Sequence, residues 1–236
     1  MASLRGKVVL VDFWAYSCIN CQRELPHVEA WAKDYASAGL RVVGVHTPEY
    51  AFEHVPSNVA AGVRRLGLTF PVALDNSYDT WNAYDNESWP ADYLIDASGQ
   101  IRHISIGEGD YTSEEQLIRE LLTAAHPGIT LPPGTNVRDT TPDDPQQTQE
   151  TYLGDERVQF YSGNTVYTPG QRLFVPPATL PADSFTLAGT WTIGQQSITA
   201  GNRADITLAY HASSVYLGTV TIRLSPGLQA YSFTFG

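Results

Sequence analysis

The chain has 236 residues and a net charge of −11, from 14 basic and 25 acidic side chains. With 42% hydrophobic and 17% charged residues it reads as a folded globular chain, long enough for one large domain or two small ones. The acidity argues against a nucleic-acid partner held through phosphates, no run approaches the roughly 18 apolar residues of a membrane span, and two cysteines cannot build a disulfide scaffold.

Residues 1–127 read as alternating strands and helices. Lys7–Trp14 is a nearly continuous apolar stretch, the pattern of a strand buried on both faces. A helix is predicted over 19–38, with Leu25, Val28, Ala32, Tyr35 and Ala36 at helical spacing and Gly39 as its stop. Leu40–His46 is a second buried strand. After a polar excursion over 47–54 come a short helix (57–66), a strand (70–75) and a helical turn (77–84). Asp92–Asp96 and Ile101–Gly107 read as a hairpin around Ala97-Ser98-Gly99-Gln100. Ser113 is predicted to cap a last helix whose buried stripe is Leu117, Ile118, Leu121, Leu122 and Ala125.

Prolines 127, 132, 133, 142 and 145 then mark 128–150 as a proline-rich linker. From 151 to 236 the pattern is all-β. Strands are predicted at Val158–Ser162, Ser184–Leu187, Gly189–Ile193, Ala204–Ala212, Ser214–Leu224 and Tyr231–Phe235, spaced as in a sandwich. The many aromatics there, among them Tyr161, Tyr167, Phe174, Phe185, Trp191, Tyr210, Tyr216, Tyr231, Phe233 and Phe235, are either core or sugar-stacking rings of a carbohydrate-binding-like module. Two or more rings along one exposed groove would mark the second.

Both cysteines lie in Cys18-Ile19-Asn20-Cys21. A bridge across two residues closes almost no loop, so a structural staple is a poor explanation. Half a zinc site would need two more ligands from six histidines, and none has finger-like spacing. A C-x-x-C at a strand-to-helix junction is a redox signature. The unpaired N–H groups and positive dipole end of the first helical turn favour a thiolate at Cys18. Cys18 is then the exposed attacking sulfur, and Cys21, one turn further in, the buried resolving one. Asp12 interrupts a buried strand, where an unpaired carboxylate is costly. It is either a satisfied core residue or a proton acceptor for Cys21. Glu24 sits one turn past Cys21, either as a solvated helix charge or on the same face as the dithiol.

The run Val8-Val9-Leu10-Val11-Asp12-Phe13-Trp14-Ala15-Tyr16-Ser17-Cys18-Ile19-Asn20-Cys21 resembles the active-site strand and helix of thioredoxins. That resemblance implies a thioredoxin-like α/β fold for 1–127 and a proton-transfer role for Asp12. The pattern C-x-x-C-x-x-E-x-P, with Glu24 and Pro26, is similar to the TlpA-like group and implies proton handling by Glu24. Pro90, in Trp89-Pro90-Ala91-Asp92, matches the family's cis-proline. This would leave the Trp89 backbone open for strand-like pairing with substrate. The strings around Cys18, His46-Thr47-Pro48-Glu49, Leu74-Asp75-Asn76, Thr80-Trp81-Asn82-Ala83-Tyr84 and Gly107-Glu108-Gly109-Asp110-Tyr111 look like the C-terminal region of the DipZ family. There a CcdA-type electron-transporting membrane domain is joined to an extracytoplasmic TlpA-like domain. Ser17 and Ile19-Asn20 depart from thioredoxin itself, so the redox potential is not carried over.

The resemblance implies a thiol–disulfide oxidoreductase acting as a reductase of protein disulfides, fed by a CcdA-like membrane domain, with no cofactor or metal. It also implies a site on the extracytoplasmic face of the membrane. The missing hairpin before the first strand fits an excised soluble portion. His46, Glu49 and Glu108 are expected to border the dithiol, or else to be ordinary polar loop residues. A peroxidase is disfavoured, because Val11 and Ala15 stand where P-x-x-x-T-x-x-C needs Pro and Thr. The alternative is a cell-envelope module binding glycan or protein, with the dithiol secondary.

Overall fold

The computed structural model describes residues 4–212 and 215–235, with the side chains of 215–217 outside the description. The chain divides into two compact units, Met1–Thr141 and Pro142–Gly236.

The first unit is built on β1 (Val8–Trp14), α1 (Ile19–Asp34), β2 (Leu40–His46), α2 (Pro56–Leu66), β3 (Val72–Leu74), α3 (Asp79–Ala83), β4 (Ala91–Ile95), β5 (Ile101–Ile106) and α4 (Tyr111–Ala125). Its sheet runs β3-β2-β1-β4-β5. β1, β2 and β3 are parallel, and β4 and β5 antiparallel to their neighbours. That is the thioredoxin-like arrangement, with β1 central and every one of its side chains buried. Alternation along β1 divides the core in two. Val8, Leu10 and Trp14 pack with Leu25, Val28 and Trp31 of α1 and Ile118 and Leu122 of α4. Val9, Val11 and Phe13 face the other way, toward Tyr93, Ile95, Trp81 and Tyr84. Gly44 of β2 admits this packing, since a Cβ there would lie 2.8 Å from Phe70 and 2.9 Å from the Trp14 indole nitrogen.

Two helix ends differ from expectation. α1 stops at Asp34, with a turn over 35–39, because the buried Tyr35 leaves helical geometry and its hydroxyl bonds Glu115 and Arg119 of α4. α4 starts two residues before Ser113. Its N-cap is Asp110 in a left-handed conformation, and the Ser113 hydroxyl donates to Asp110 Oδ1 at 2.7 Å. Of the expected stripe only Ile118 and Leu122 are fully buried. Residues 127–141 hold no helix or strand, yet Thr135 donates twice to the Glu115 carboxylate at 2.8 Å and Arg119 donates to the Pro132 carbonyl at 2.8 Å.

The second unit contains β6 (Thr151–Tyr152), β7 (Gly170–Phe174), β8 (Ser184–Ile193), β9 (Ile198–Ala200), β10 (Ala204–Ala212), β11 (Val215–Leu224), β12 (Gln229–Ala230) and β13 (Ser232–Phe233). The pairing does not confirm the expected carbohydrate-binding-like sandwich. It forms one path, β11-β10-β8-β9-β12, with β7 also on β8, beside a β6–β13 ribbon. The two strands expected at 184–187 and 189–193 are one, β8. Its first half pairs with β10 and its second with β7 and β9, so the sheet curls along its length. Val158–Ser162 is not a strand; Tyr161 makes only an isolated bridge to Phe185. The expected Tyr231–Phe235 strand contracts to β13. Ser214 lies outside the described residues.

The aromatic question is answered toward core. Trp191, Phe174 and Phe185 are buried, and Tyr161, Tyr167, Tyr210, Phe233 and Phe235 pack against them. The Tyr216 side chain lies outside the description, and the partly buried Tyr231 hydroxyl bonds Gln229 at 3.1 Å. Among the described rings, none supports a sugar-stacking groove.

Gly189 sits where β8 changes partners. Its φ is +80°, and an added Cβ would lie 1.8 Å from the Arg203 carbonyl oxygen. Gly189→Ala should therefore destabilise the second unit by about 2 kcal/mol or more, because backbone blocks the new atom and the conformation disfavours it. Urea unfolding is the measurement; an unchanged midpoint would contradict this account of the curl.

Candidate redox site

The dithiol lies where β1 hands the chain to α1. Cys18 is the N-cap residue, extended at φ −63° and ψ 117°, and its Sγ accepts the Cys21 N–H at 3.3 Å. Both cysteines are free thiols. Cys21 is fully buried, as expected of an inner sulfur. Cys18 is not the open sulfur anticipated, being only 8% exposed. It is covered from the β4 side, with Sγ 3.9 Å from the Trp89 carbonyl oxygen. The Trp89–Pro90 bond is cis. Trp89 is held by its indole N–H donating to the Thr47 carbonyl at 3.0 Å and by its ring against Trp81 at 4.3 Å. Trp89, Pro90 and the dithiol thus meet at one edge of the sheet.

Next to Cys18, Ser17 is held by Glu53, which sequence reasoning missed. Its fully buried carboxylate accepts the Ser17 N–H at 3.1 Å, the Ser17 hydroxyl at 2.7 Å, the Glu49 N–H at 2.6 Å and the Tyr50 N–H at 3.1 Å. Burial pushes its carboxyl up, and these donated bonds pull it back. His46 is not an open rim residue. It is fully buried, stacks on Tyr16 and accepts the Tyr16 N–H at Nε2 over 3.3 Å. Burial holds its pKa down to about 4, so it is neutral at physiological pH. Glu49 is also buried. Glu108 does reach the first turn of α1, gripping Arg23 through bonds of 2.6 and 2.7 Å, while Arg23 also donates to Asn20 at 2.9 Å.

Glu24 lies in the electrostatic neighbourhood of both sulfurs, and it shares that neighbourhood with three further buried carboxyls, Asp12, Asp92 and Glu114. Asp12 is neither a satisfied core residue nor exposed: both oxygens are buried without a hydrogen-bond partner among the described residues. Burial, with Glu114 adding to it, raises its pKa to about 8. Glu24, 1% exposed, is no solvated helix charge; burial pushes it well up, with Asp12 and Glu114 reinforcing. Burial likewise pushes the Cys21 thiol up, and the Cys18 sulfur adds to that. No local signal marked Asp92 or Glu114. The strand register across β1 and β4 was needed for the first, and the packing of α4 for the second.

Asp12 carries a pH signature. Its folded value of about 8 lies above its ordinary 3.8, so the folded chain binds the proton more tightly. The stability this contributes is complete below pH 3.8 and is lost as pH rises through 8. Asp12→Asn should therefore gain stability over the parent by roughly 2 kcal/mol at pH 8, with the gain shrinking toward acid pH. Urea melts at several pH values read this; a pH-independent difference would contradict it.

Residues 1–104 match the model of the AhpC/TSA family, and residues 148–219 match that of a thioredoxin-like C-terminal domain. Protein DipZ of Mycobacterium tuberculosis and of Mycobacterium bovis are each 47% identical over the whole of this chain, which spans 40% of their length. Thiol-disulfide oxidoreductase ResA of Geobacillus thermodenitrificans is 32% identical over 45% of this chain and 59% of its own. A solved thiol-disulfide isomerase from Corynebacterium glutamicum is 26% identical, with a TM-score of 0.48 over 52% of this chain and 84% of that one. A binding module with a secondary dithiol is not favoured by the likeness to DipZ and ResA. The chain belongs to the thioredoxin-like thiol–disulfide oxidoreductases and fits the C-terminal thioredoxin region of DipZ.

Proposed function

We propose that this chain is the extracytoplasmic reducing arm of a longer membrane protein, passing electrons from a CcdA-like membrane domain to disulfides in protein substrates. The observation that carries the reading is the placing of Cys18. Its sulfur caps α1, faces the Trp89 carbonyl before the cis Pro90, and has the buried Cys21 one turn behind it. Cys18 thiolate attacks one sulfur of the substrate disulfide, whose other sulfur leaves with the electron pair and takes a proton. Cys21 then gives its proton to Asp12, with Glu24 beside it, and attacks Cys18. The mixed disulfide breaks and the second substrate thiol is released. Two electrons have moved from the dithiol to the substrate, and the membrane domain returns them.

Trp89 and Pro90 supply the substrate contact: an extended peptide laid beside them meets backbone rather than side chain. Support for the membrane electron source comes from the likeness to DipZ, of which the chain spans 40%. Among the described residues no helix is long and apolar enough to cross a membrane. The AhpC/TSA likeness does not bring peroxidase chemistry, because Val11 and Ala15 still occupy the Pro and Thr positions of that motif.

Cys18→Ser should abolish reduction of a protein disulfide, and Cys21→Ser should accumulate a mixed disulfide that dithiothreitol releases. The direction of flow is read from equilibration of the pair with glutathione. A potential near the ~−270 mV of thioredoxin is expected of a reductant, whereas one toward the ~−120 mV of DsbA would reverse the assignment. Turnover that survives Cys18→Ser would remove it altogether.

A further inference from the structure

Asp92 and Glu114 have no part in the chemistry above. Asp12 and Asp92 are register partners on β1 and β4, so their side chains project from the same face of the sheet, toward α1 and α4. α1 brings Glu24 to that layer and α4 brings Glu114. The four are 0%, 0%, 1% and 3% exposed in the order Asp12, Asp92, Glu24, Glu114. Both oxygens of each aspartate, and one oxygen of each glutamate, find no hydrogen-bond partner among the described residues. Beyond burial, Glu114 acts on Asp12; Asp12 and Glu114, with Cys18 and Glu108, act on Glu24; Glu114, Glu24 and Asp12 act on Asp92; and Asp110 acts on Glu114. Glu108 is itself bound to Arg23 at the rim. One turn beyond Glu24, His27 stacks on Tyr111 at 3.7 Å, and burial pushes that histidine toward its neutral form.

Four neighbouring carboxyls in a dry layer cannot all be ionised, so the set retains protons at neutral pH. The set is not a metal centre: among the described residues no group of three or more His, Cys, Asp or Glu is placed to hold a cation. Glu114 is its outward member, and one of its oxygens accepts the Ser105 hydroxyl of β5 at 3.1 Å.

We propose that Asp12, Glu24, Asp92 and Glu114 act as one shared proton store behind the dithiol, in which the Glu114 charge sets the pH at which Asp12 accepts the Cys21 proton. The proposal rests on the oxidoreductase reading above. In the resolving step the Cys21 S–H bond breaks and its proton passes to the Asp12 carboxylate. The Cys21 electron pair forms the bond to Cys18, and the mixed-disulfide pair leaves on the substrate sulfur. The store exchanges protons only, so electrons balance between dithiol and substrate. Glu114 is a positioning residue acting through Asp12, and Asp92 holds a proton of the store.

The test uses the complete chain. Resolution of a preformed mixed disulfide is followed against pH for the parent, Asp92→Asn, Glu114→Gln and Glu114→Asp. Removing the Glu114 charge makes Asp12 easier to ionise. The rising limb should then move to lower pH by about one unit in Glu114→Gln, while Glu114→Asp keeps the parent profile, as does Asp92→Asn, which replaces a carboxyl still protonated there. A limb that stays in place in Glu114→Gln, or a rate loss at every pH without a shift, overturns the proposal. The same coupling is read without turnover in a Cys18→Ser/Cys21→Ser chain, by carbon NMR of the Asp12 carboxyl with and without Glu114→Gln. A missing shift there overturns the store whatever the turnover. A shift there in a chain whose parent does not reduce disulfides would overturn the oxidoreductase reading and leave the coupling standing.

Discussion

The central strand β1 has both faces buried, and the alternation of its side chains governs the rest of the first unit. One face takes Val9, Val11 and Phe13 against Tyr93, Trp81 and Tyr84. The other takes Val8, Leu10 and Trp14 against α1 and α4. Asp12 falls on that second face, so a carboxylate enters the core between the two helices. A shift of one residue would place it in the aromatic layer instead. The same strand ends four residues before Cys18, so the register that buries Asp12 also delivers the dithiol to the start of α1.

From that placement the electrostatics follow. A carboxyl without partners in a dry layer holds its proton to unusually high pH, and each further carboxyl beside it strengthens the effect. Asp92 is directly opposite Asp12, and Glu114 is pushed up to about 7, chiefly by burial. The inner thiol, Cys21, is pushed up by the same burial. Groups that exchange a proton are thus kept in comparable need of one. Around the outer sulfur the constraints are of another kind. Glu53 ties Ser17 to the 49–50 backbone, and the Trp89 carbonyl covers Cys18. Hydrogen bonds hold the mouth and desolvation tunes the interior.

The second unit obeys a simpler constraint. β8 is long enough to serve two sets of partners, and Gly189 lets the Arg203 backbone come close at the exchange point. The curl wraps the sheet around Trp191, Phe185 and Phe174, and most of the aromatic content becomes core. Rings that stack on a sugar must remain exposed, and packing has used these for another purpose.

Much of the first unit was legible from residues alone. Continuous apolar strands, helical spacing and the C-x-x-C at a strand-to-helix junction are local patterns, and local patterns survive in sequence. Cys21 lies in that motif, and Asp12, Glu24, Trp89 and Pro90 were singled out through the resemblance of the strings around them to thioredoxin-like proteins. What tertiary structure alone decided is pairwise and long-range. Register set Asp92 against Asp12, helix packing brought Glu114 to them, and a loop fold carried Glu53 to Ser17 across 36 positions. The cover over Cys18 and the single curled sheet of the second unit are of this kind too. Periodicity says which face a residue occupies, but not which distant residue it will meet. In a buried layer that meeting, rather than the residue's own chemistry, sets where its proton is held.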